Sequence, residues 1–589
     1  MKQEMRGDDI KIVTSFPAEC KVETLFKKNG VRCRRVEFSY KEQTCDSPER
    51  KITIEFSFPV LDISARWFPA CGFDRALKAD WFPGAESMTS ISAPVISFYN
   101  GAGENKYTVA LSEIKQKITM QYGIHEEDGT MLCRTEIVLP GGLFREKYEL
   151  AIWESVRCEK YWKTISRVNE WWKEELGLTY MEVPDTARQP LYSFWYSKHQ
   201  QVNAQNVEEE SQLAAGMGFS VIIVDDGWQT DDGNRGYAFC GDWEPSVNKF
   251  PDFPAHVRKV QAMGLKYLMW FSVPYLGKKA KAWNRFRDKL LCYDEFQQAG
   301  VLDLRYPEVR QYLKAIYLKA VREWNVDGLK LDFIDEFYLR PESPRFSEGM
   351  DFEDIQEALD VFLTEVMKEL RQLRPDILIE FRQRYIGPQI RKYGNLLRVA
   401  DCPGSAISNR VGTIDLRLLA GETAVHSDML MWHKDEKPED AALQVISCIF
   451  AAVQISVELE QMTAEMEKML AFWMAFMRKH IKLLQKSQIQ PREPENLYPE
   501  VQTEDADTRI LVHYSRGRMV DLRSIPQNVY YIHGVKKEEV CFRLSGEDTL
   551  TYRVTDCIGN LMQEGTWNSE KWDSLPVPTG GIVRISKSR

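Results

Sequence analysis

Several features are missing from this chain, and each absence excludes a class of protein. None of the 12 cysteines forms a C-x-x-C pair, and none of the eight histidines belongs to an H-E-x-x-H run. The usual spacings of zinc sites and dithiol redox centres are therefore missing. Cysteines dispersed from Cys20 to Cys557 are expected to be reduced, buried thiols. The closest histidine pair, His426 and His433, has a spacing that would fit one helix face, but surface or satisfied core histidines are the expectation, and no cofactor or metal is predicted. The longest apolar runs, such as Val445–Val453 and Met469–Met477, fall far short of the ~20 residues of a spanning helix. The start, Met1-Lys-Gln-Glu-Met-Arg, has no apolar segment of the secretory kind, which reads as a cytoplasmic protein. Basic charge is also short. With 77 Lys+Arg against 87 Asp+Glu the formal charge is −10, the wrong sign for a general nucleic-acid or anionic-membrane binder.

Among what is present, aromatic residues stand out, at 12% of 589 residues including 16 Trp. Such side chains serve cores and also sites that stack on rings. Three zones follow one another. From Lys11 to Trp153 short β-rich runs alternate with turns: Val31–Tyr40, Lys51–Phe58, Val95–Tyr99, Tyr107–Leu111, Lys117–Tyr122 and Leu132–Leu139. The period-two pattern predicts a β-sandwich. A Trp- and Glu-rich helical stretch, Val156–Leu176, follows. From Leu191 to Gln488 apolar runs alternate with helical patterns (Asn206–Met217, Phe253–Met263, Pro307–Glu323, Phe352–Leu373). Eight strand candidates fit a (β/α)8 barrel: Tyr192–Tyr196, Ser220–Asp225, Leu265–Phe271, Asp327–Asp332, Ile377–Phe381, Leu396–Asp401, Thr423–Ser427 and Ile446–Ala452. A doubly wound sheet fits less well, because no glycine-rich phosphate fingerprint follows the first strand. After prolines 491, 494 and 499 the strand pattern returns as a small antiparallel β-domain. The predicted division is 1–185, 186–490 and 491–589, an α/β chain with a barrel between two β-domains.

In a parallel barrel the C-terminal strand ends build the site. Here they carry Asp225-Asp226-Gly-Trp228, Trp270-Phe271, Lys330-Leu-Asp332, Glu380-Phe-Arg-Gln-Arg384 and Asp401-Cys-Pro-Gly. A single Asp after a strand is more often a turn former or helix cap, and Asp231-Asp-Gly-Asn234 reads as a turn. Lys330 is different. Period two puts it on the same face as Asp332, inside an apolar run, so it needs a carboxylate partner: Asp332, Asp225 or Asp226. Paired carboxylates facing one site are what glycoside hydrolysis uses, one ionised and one able to donate a proton. A cation such as Lys330 suits the first, and an apolar approach such as Val399-Ala400 would raise the pKa of an acid at Asp401. Spacing alone does not select Asp332 and Asp401 from the other acids.

In order, Val224-Asp-Asp-Gly-Trp228, Gly241-Asp-Trp-Glu244, Lys249-Phe-Pro251, Met263-Gly-Leu-Lys-Tyr-Leu-Met-Trp-Phe271, Val301-Leu-Asp-Leu-Arg-Tyr-Pro-Glu-Val-Arg310 and Asp327-Gly-Leu-Lys-Leu-Asp332 resemble glycoside hydrolase family 36, the melibiase-type α-galactosidases. The resemblance is specific over Leu191–Asp332 and looser to Gln488; the flanking zones match by layout. It implies a retaining reaction, with Asp332 as nucleophile and Asp401 as general acid/base. Lys330, Asp225 and Asp226 would bind hydroxyls, and Trp270 would contact the sugar; Trp228, from its place after strand two, is an alternative ring to stack on the pyranose. The chain departs from the family pattern in three places: Glu380-Phe-Arg-Gln-Arg-Tyr385 after strand five, Ala400-Asp-Cys-Pro-Gly404 after strand six, and Phe271-Ser-Val-Pro274 after strand three. The strand-five loop faces the sugar's 2-position, and Arg384 is the candidate for a lost loop arginine.

The expected function is an exo-acting α-galactosidase that hydrolyses oligosaccharides. The alternatives are a related α-glycosidase with another glycone (an α-N-acetylgalactosaminidase, for example), a transglycosylase, a non-catalytic carbohydrate-binding protein, and a metal-dependent barrel enzyme using Asp225, Asp226, Asp332 and Glu380. Lys330 among these acids argues against the last. The resemblance allows a homo-oligomer in which the N-terminal sandwich, through Arg66-Trp67 or Asp80-Trp81, reaches a neighbouring site. Packing is the commoner role of such tryptophans.

Overall fold

The computed structural model describes residues 3–7, 9–39, 49–140, 147–545, 549–568 and 571–588. Tyr40, the end of one expected strand, lies outside them. Between the β-zones, eight parallel strands form one sheet: β1 (Leu191–Ser193), β2 (Val221–Val224), β3 (Lys266–Ser272), β4 (Gly328–Asp332), β5 (Leu378–Arg382), β6 (Leu396–Arg398), β7 (Ala424–His426) and β8 (Gln454–Ile455). β1 pairs with both β2 and β8. The circle closes where Ser427 N donates to Ala452 O at 3.0 Å and His426 bridges Ala452. The expected eighth strand, Ile446–Ala452, is a correction. Its first residues finish the helix Pro438–Ser447, which begins on a proline at its first turn, and the strand proper comes two residues later. The other barrel strands and the helices Ala204–Met217, Phe253–Gln261, Pro307–Arg322 and Ile355–Leu373 lie within a few residues of expectation.

Period two sorts the barrel interior into layers. Leu191, Val221, Ile223, Leu268, Leu378, Leu396 and Ala424 form one buried apolar cluster, the floor. Two residues further along β5, β6 and β7 come the buried polar side chains Glu380, Arg398 and His426, and Lys330 on β4 and Gln454 on β8 are buried and polar as well. The floor thus supplies the burial, and the strand ends supply the charge.

Residues before the barrel fold as two six-stranded sheets. One runs Gln3–Gly7, Ile10–Thr14, Glu49–Pro59, Thr130–Pro140, Lys117–His125, Ala85–Ser87. The other runs Glu19–Lys28, Val31–Ser39, Lys147–Ser155, Asn105–Leu111, Val95–Tyr99, Ala65–Trp67. Their inner faces share one apolar core, as a sandwich requires. Strands Glu19–Lys28 and Lys147–Ser155 escaped the sequence reading; the charges on their exposed faces interrupt the apolar alternation. The C-terminal sheets are antiparallel except where Thr508–His513 pairs with Asn528–His533 and Val520–Asp521 with Glu538–Arg543.

Three segments meet at one buried carboxylate. Asp415, on the helix Ala406–Leu419, accepts Trp67 Nε1 at 2.8 Å and both oxygens take Arg75 Nη2, at 3.1 and 2.8 Å. Tyr498, beyond the barrel, donates to the same carboxylate and accepts from Arg75 Nη1 at 3.0 Å. Trp67 is thus a packing residue, whereas Trp81 is exposed. Asp415→Ala would strand a buried Arg75, at an expected cost of about 3–5 kcal/mol. The predicted readout is a lower urea midpoint; a wild-type midpoint would show that the junction carries no stability.

Candidate active site

The turn after β2 places two acids side by side. Asp225 Oδ2 accepts Lys330 Nζ at 2.6 Å, and its Oδ1 accepts the Asp226 N–H at 2.9 Å. The buried lysine therefore has Asp225 as its direct partner. Burial works against the ammonium, but the Asp225 charge outweighs it and raises the Lys330 pKa. Asp226 accepts Gln200 Nε2 at 3.0 Å and Gln229 Nε2 at 2.7 Å. Gly227 makes this turn feasible: its φ is +111°, and a Cβ there would lie 2.5 Å from Gln200 Cα.

Asp332 closes β4 with three donors on one carboxylate oxygen and one on the other. Oδ1 accepts Arg382 Nε at 2.6 Å, Tyr385 OH at 2.9 Å and the Phe333 N–H at 2.8 Å; Oδ2 accepts Trp270 Nε1 at 2.9 Å. Phe333 reaches Oδ1 because it adopts a left-handed conformation, φ +63°, the kind of strain that clusters at functional sites. Burial alone would raise the Asp332 pKa. The charges of Arg382 and Lys330 and the indole hydrogen bond reverse that and hold the carboxyl well below the usual range.

The acid end is organised by Arg398. Fully buried on β6, it donates through Nη1 to Asp428 Oδ1 at 2.6 Å and pairs with Asp401 Oδ1 at 2.9 Å, while Nε lies 3.5 Å from Glu380 Oε1. Asp428 Oδ2 takes the Cys402 N–H at 2.6 Å and Tyr196 OH at 3.0 Å. Asp401 itself is 55% exposed in its side chain. The expected rise in its pKa is a correction: burial pushes that way, but the Arg398 charge overrides it and moves the carboxyl down.

Three aromatic and basic expectations also change. Trp228 is 0% exposed, donates Nε1 to Trp270 O at 3.0 Å and packs against Trp243, Phe271 and Trp324. It backs the site and cannot touch a sugar. Trp270, 2% exposed, has its N–H on Asp332 and its ring beneath Tyr237, 6.3 Å away at 27°; it steadies Asp332 instead of offering a free face. Half-buried Tyr237, stacked at 4.8 Å on Tyr275, supplies the aromatic surface there. Arg384 is 60% exposed with its guanidinium 3.4 Å from Asp335, so Arg382 is the arginine at the site. Period two along Glu380, Arg382, Arg384 signalled a shared face, but Arg384 lies past the strand end. Arg398, Asp428 and Tyr385 were missed, since no local motif links them. His426 is buried, pushed down to about 4 by burial, and bonds Ala187 O at 2.6 Å, whereas His433 is exposed. The pair forms no ligand set.

Burial, with the neighbouring Asp225 charge, pushes the Asp226 carboxyl from 3.8 up to about 6 against its two amide hydrogen bonds. The folded protein thus holds this proton more tightly than the unfolded chain. Its stabilising effect is full below pH ~4 and lost as pH rises through ~6. Asp226→Asn, which cannot ionise, should gain on wild type across that window by on the order of 1–3 kcal/mol and keep the gain above it. Urea midpoints at pH 4 and pH 7 measure this; a difference independent of pH would contradict it.

The family model described as Melibiase matches residues 178–387, from ahead of β1 to just past β5. Among curated proteins, α-galactosidase of Escherichia coli is 24% identical over 160 residues, 25% of this chain and 22% of its own length. Alpha-galactosidase C of Emericella nidulans is 23% identical over 161 residues, with the same coverage of 25% and 22%. The matched segment thus spans about a fifth of these relatives. Solved structures align over nearly the whole chain. A family 36 α-galactosidase of Geobacillus stearothermophilus in complex with raffinose aligns with TM-score 0.68 and 14% identity over 98% of this chain and 83% of that one. The α-galactosidase of Lactobacillus brevis aligns with TM-score 0.66 and 13% identity over 100% and 83%. Residues 178–387 therefore match the Melibiase family model, in a chain with the fold of the glycoside hydrolase family 36 α-galactosidases.

Proposed function

We propose that the protein is a retaining, exo-acting α-galactosidase that removes terminal α-linked galactose from oligosaccharides through a covalent glycosyl-enzyme. The observation that carries this reading is Asp332, ionised, immobilised by four donors and standing at the end of β4 inside the Melibiase match. A nucleophile must be charged and aimed, and both conditions are met there. Oδ1 holds three donors and Oδ2 one, so Oδ2 is the attacking atom. As its bond to the anomeric carbon forms, the bond to the leaving oxygen breaks, and that oxygen takes a proton from Asp401. Water then attacks the ester, giving a proton to Asp401, and the carboxylate of Asp332 is regenerated. Lys330, Asp225 and Asp226 line the same strand ends and serve as partners for sugar hydroxyls. The neighbours solved with raffinose and with stachyose support an oligosaccharide substrate.

Arg398 gives this scheme a pH signature. An acid must start protonated, and Arg398 pulls Asp401 towards the ionised form, so substrates with poor leaving groups should lose kcat/KM as pH rises towards neutrality. Asp332→Ala should cut turnover of an aryl α-galactoside by at least about three orders of magnitude, with azide restoring turnover as a β-galactosyl azide. Unchanged turnover would remove the nucleophile assignment. Asp401→Ala should cost the trisaccharide more than the nitrophenyl glycoside, by about 10²–10⁴-fold against far less; equal losses would remove the acid. Arg382, the last residue of β5 and part of the stretch that departs from the family pattern, stands beside Asp332. Aryl α-glycosides varied at the 2-position therefore test the glycone, and a preference for a 2-acetamido sugar would replace galactose.

A further inference from the structure

Asp428 is a fully buried carboxylate just past β7, and it neither attacks nor protonates in the reaction of Asp332 and Asp401. Its contacts nevertheless belong to the acid. Oδ1 accepts Arg398 Nη1 at 2.6 Å, and Oδ2 accepts the Cys402 N–H at 2.6 Å and Tyr196 OH at 3.0 Å. Cys402 is the residue that follows Asp401. On the other side of Asp401, the Ala400 N–H is held by Gln383 Oε1 at 3.0 Å. Arg398 Nη1 carries two hydrogens, and three acceptors surround it: Asp428 Oδ1 at 2.6 Å, Asp401 Oδ1 at 2.9 Å and Val399 O at 2.9 Å. The two acids therefore compete for one guanidinium nitrogen, and Asp428 has the shorter contact.

Competition of this kind decides where a proton sits. An arginine beside a carboxyl lowers its pKa by about 1–3 units. The further it falls, the less of the acid carries a proton near neutral pH. Asp428 works against that fall in two ways, and both have the same sign. It takes up part of the Arg398 charge, and as a nearby anion it favours the protonated form of Asp401. The other groups that face Asp401 do not do this. Lys330 and Arg382 pull its carboxyl down, as Arg398 does, and Asp332, which pushes it up, must stay ionised for attack. Tyr196 is half-buried with its phenol pushed up, so it is neutral. Burial likewise pushes up the Cys402 and Cys448 thiols beside Asp428. Glu380 meets Arg398 through a different nitrogen, Nε, at 3.5 Å. Among the described residues, Asp428 is thus the one anion that shares a nitrogen of Arg398 with Asp401.

We infer that Asp428 is a positioning residue for the general acid: it draws Arg398 away from Asp401 and anchors the Cys402 N–H, so that Asp401 keeps the proton that the leaving oxygen takes. The inference rests on the glycosidase reading and adds what sets the pH range of the acid. Asp428→Asn removes the charge and keeps an oxygen for the Cys402 N–H, while Arg398 stays paired with Asp401 and Glu380. In this variant the limb on which kcat/KM for raffinose falls with rising pH should move to lower pH by about one unit. That is a loss of about tenfold near neutral pH, shrinking as pH falls. The shift should be missing with 2,4-dinitrophenyl α-galactoside, whose leaving group departs without a proton. Asp428→Glu, which restores the charge, should return the limb towards its wild-type position. A uniform loss at every pH, with the limb unmoved, would make Asp428 merely structural and leave the hydrolase standing. The double variant Arg398→Gln with Asp428→Asn removes both charges together and covers the case in which the single variant does not fold. Its limb should lie above that of the wild type; a limb at the wild-type position would overturn the sharing of the Arg398 charge. Turnover of no α-glycoside by the wild type would instead sink the hydrolase reading, and this role with it.

Discussion

The upper half of the barrel depends on how a few buried cations are shared. Lys330 and Arg398 are buried and Arg382 largely so, and each is held by a carboxylate at salt-bridge distance: Asp225, Asp332, and Asp428 with Asp401. Buried charges persist only when paired and hydrogen-bonded, so removing one buried member leaves its partner's charge uncompensated. The pairing also fixes protonation. Asp332 receives two nearby cations and four donors and stays ionised, whereas burial pushes Glu380 and Asp428 up despite the cations beside them. Carboxylates of one barrel mouth are thereby shifted in opposite directions by how burial and the shared cations balance at each.

What was legible in the sequence was whatever a single strand encodes. Lys330 and Asp332 lie two residues apart, so their common face followed from geometry, and the apolar run around them implied burial. Asp225 and Asp226 were visible as acids that close an apolar run. Partnerships between strands were not. Nothing local indicates that Arg398 joins Asp428 from the turn after β7, or that Tyr385 comes back to Asp332 from beyond β5. These contacts depend on barrel closure, which a one-dimensional pattern does not record. The aromatic residues misled in a consistent way. Trp228 and Trp270 sit at strand ends, where a ring-binding role is reasonable, yet Trp228 is packed against Trp243, Phe271 and Trp324, and Trp270 against Tyr237 and Trp243. The eighth strand was displaced because Ile446–Ala452 is as apolar as a strand, and only the helix running into it decides otherwise.

The flanking domains matter to the site through one helix. Ala406–Leu419 begins where the Asp401 loop ends, with Ser405 as its N-cap. Its first turn carries Asn409, whose amide oxygen accepts the Asp428 N–H at 2.9 Å while its Nδ2 donates to Asp428 O, also at 2.9 Å. Its middle carries Asp415, gripped by Trp67 and Arg75 of the sandwich and by Tyr498. Its end carries Arg417, which donates to Leu484 O at 3.3 Å and Ser487 O at 2.9 Å. The same rod that positions Asp428, and through Arg398 the acid Asp401, is thus clamped from both sides by chain outside the barrel.

The N-terminal region makes a further contact, just past β5. Ser92 donates its N–H to Arg384 O at 2.6 Å, and a Cβ on Gly387 would lie 2.5 Å from Ser92 O. The loop that follows Arg382 is therefore shaped by the N-terminal domain as well as by the barrel. Loops at barrel strand ends normally vary freely on a rigid frame. Here two of them, after β5 and after β6, are tied to chain outside the barrel. That arrangement suits a site in which Arg382 must hold one carboxylate and Arg398 another, because a shift of about an ångström at either arginine would leave a buried charge without its partner. The β-domains are in this sense part of what holds the site's charges in place, although none of their described charged side chains lies at its centre.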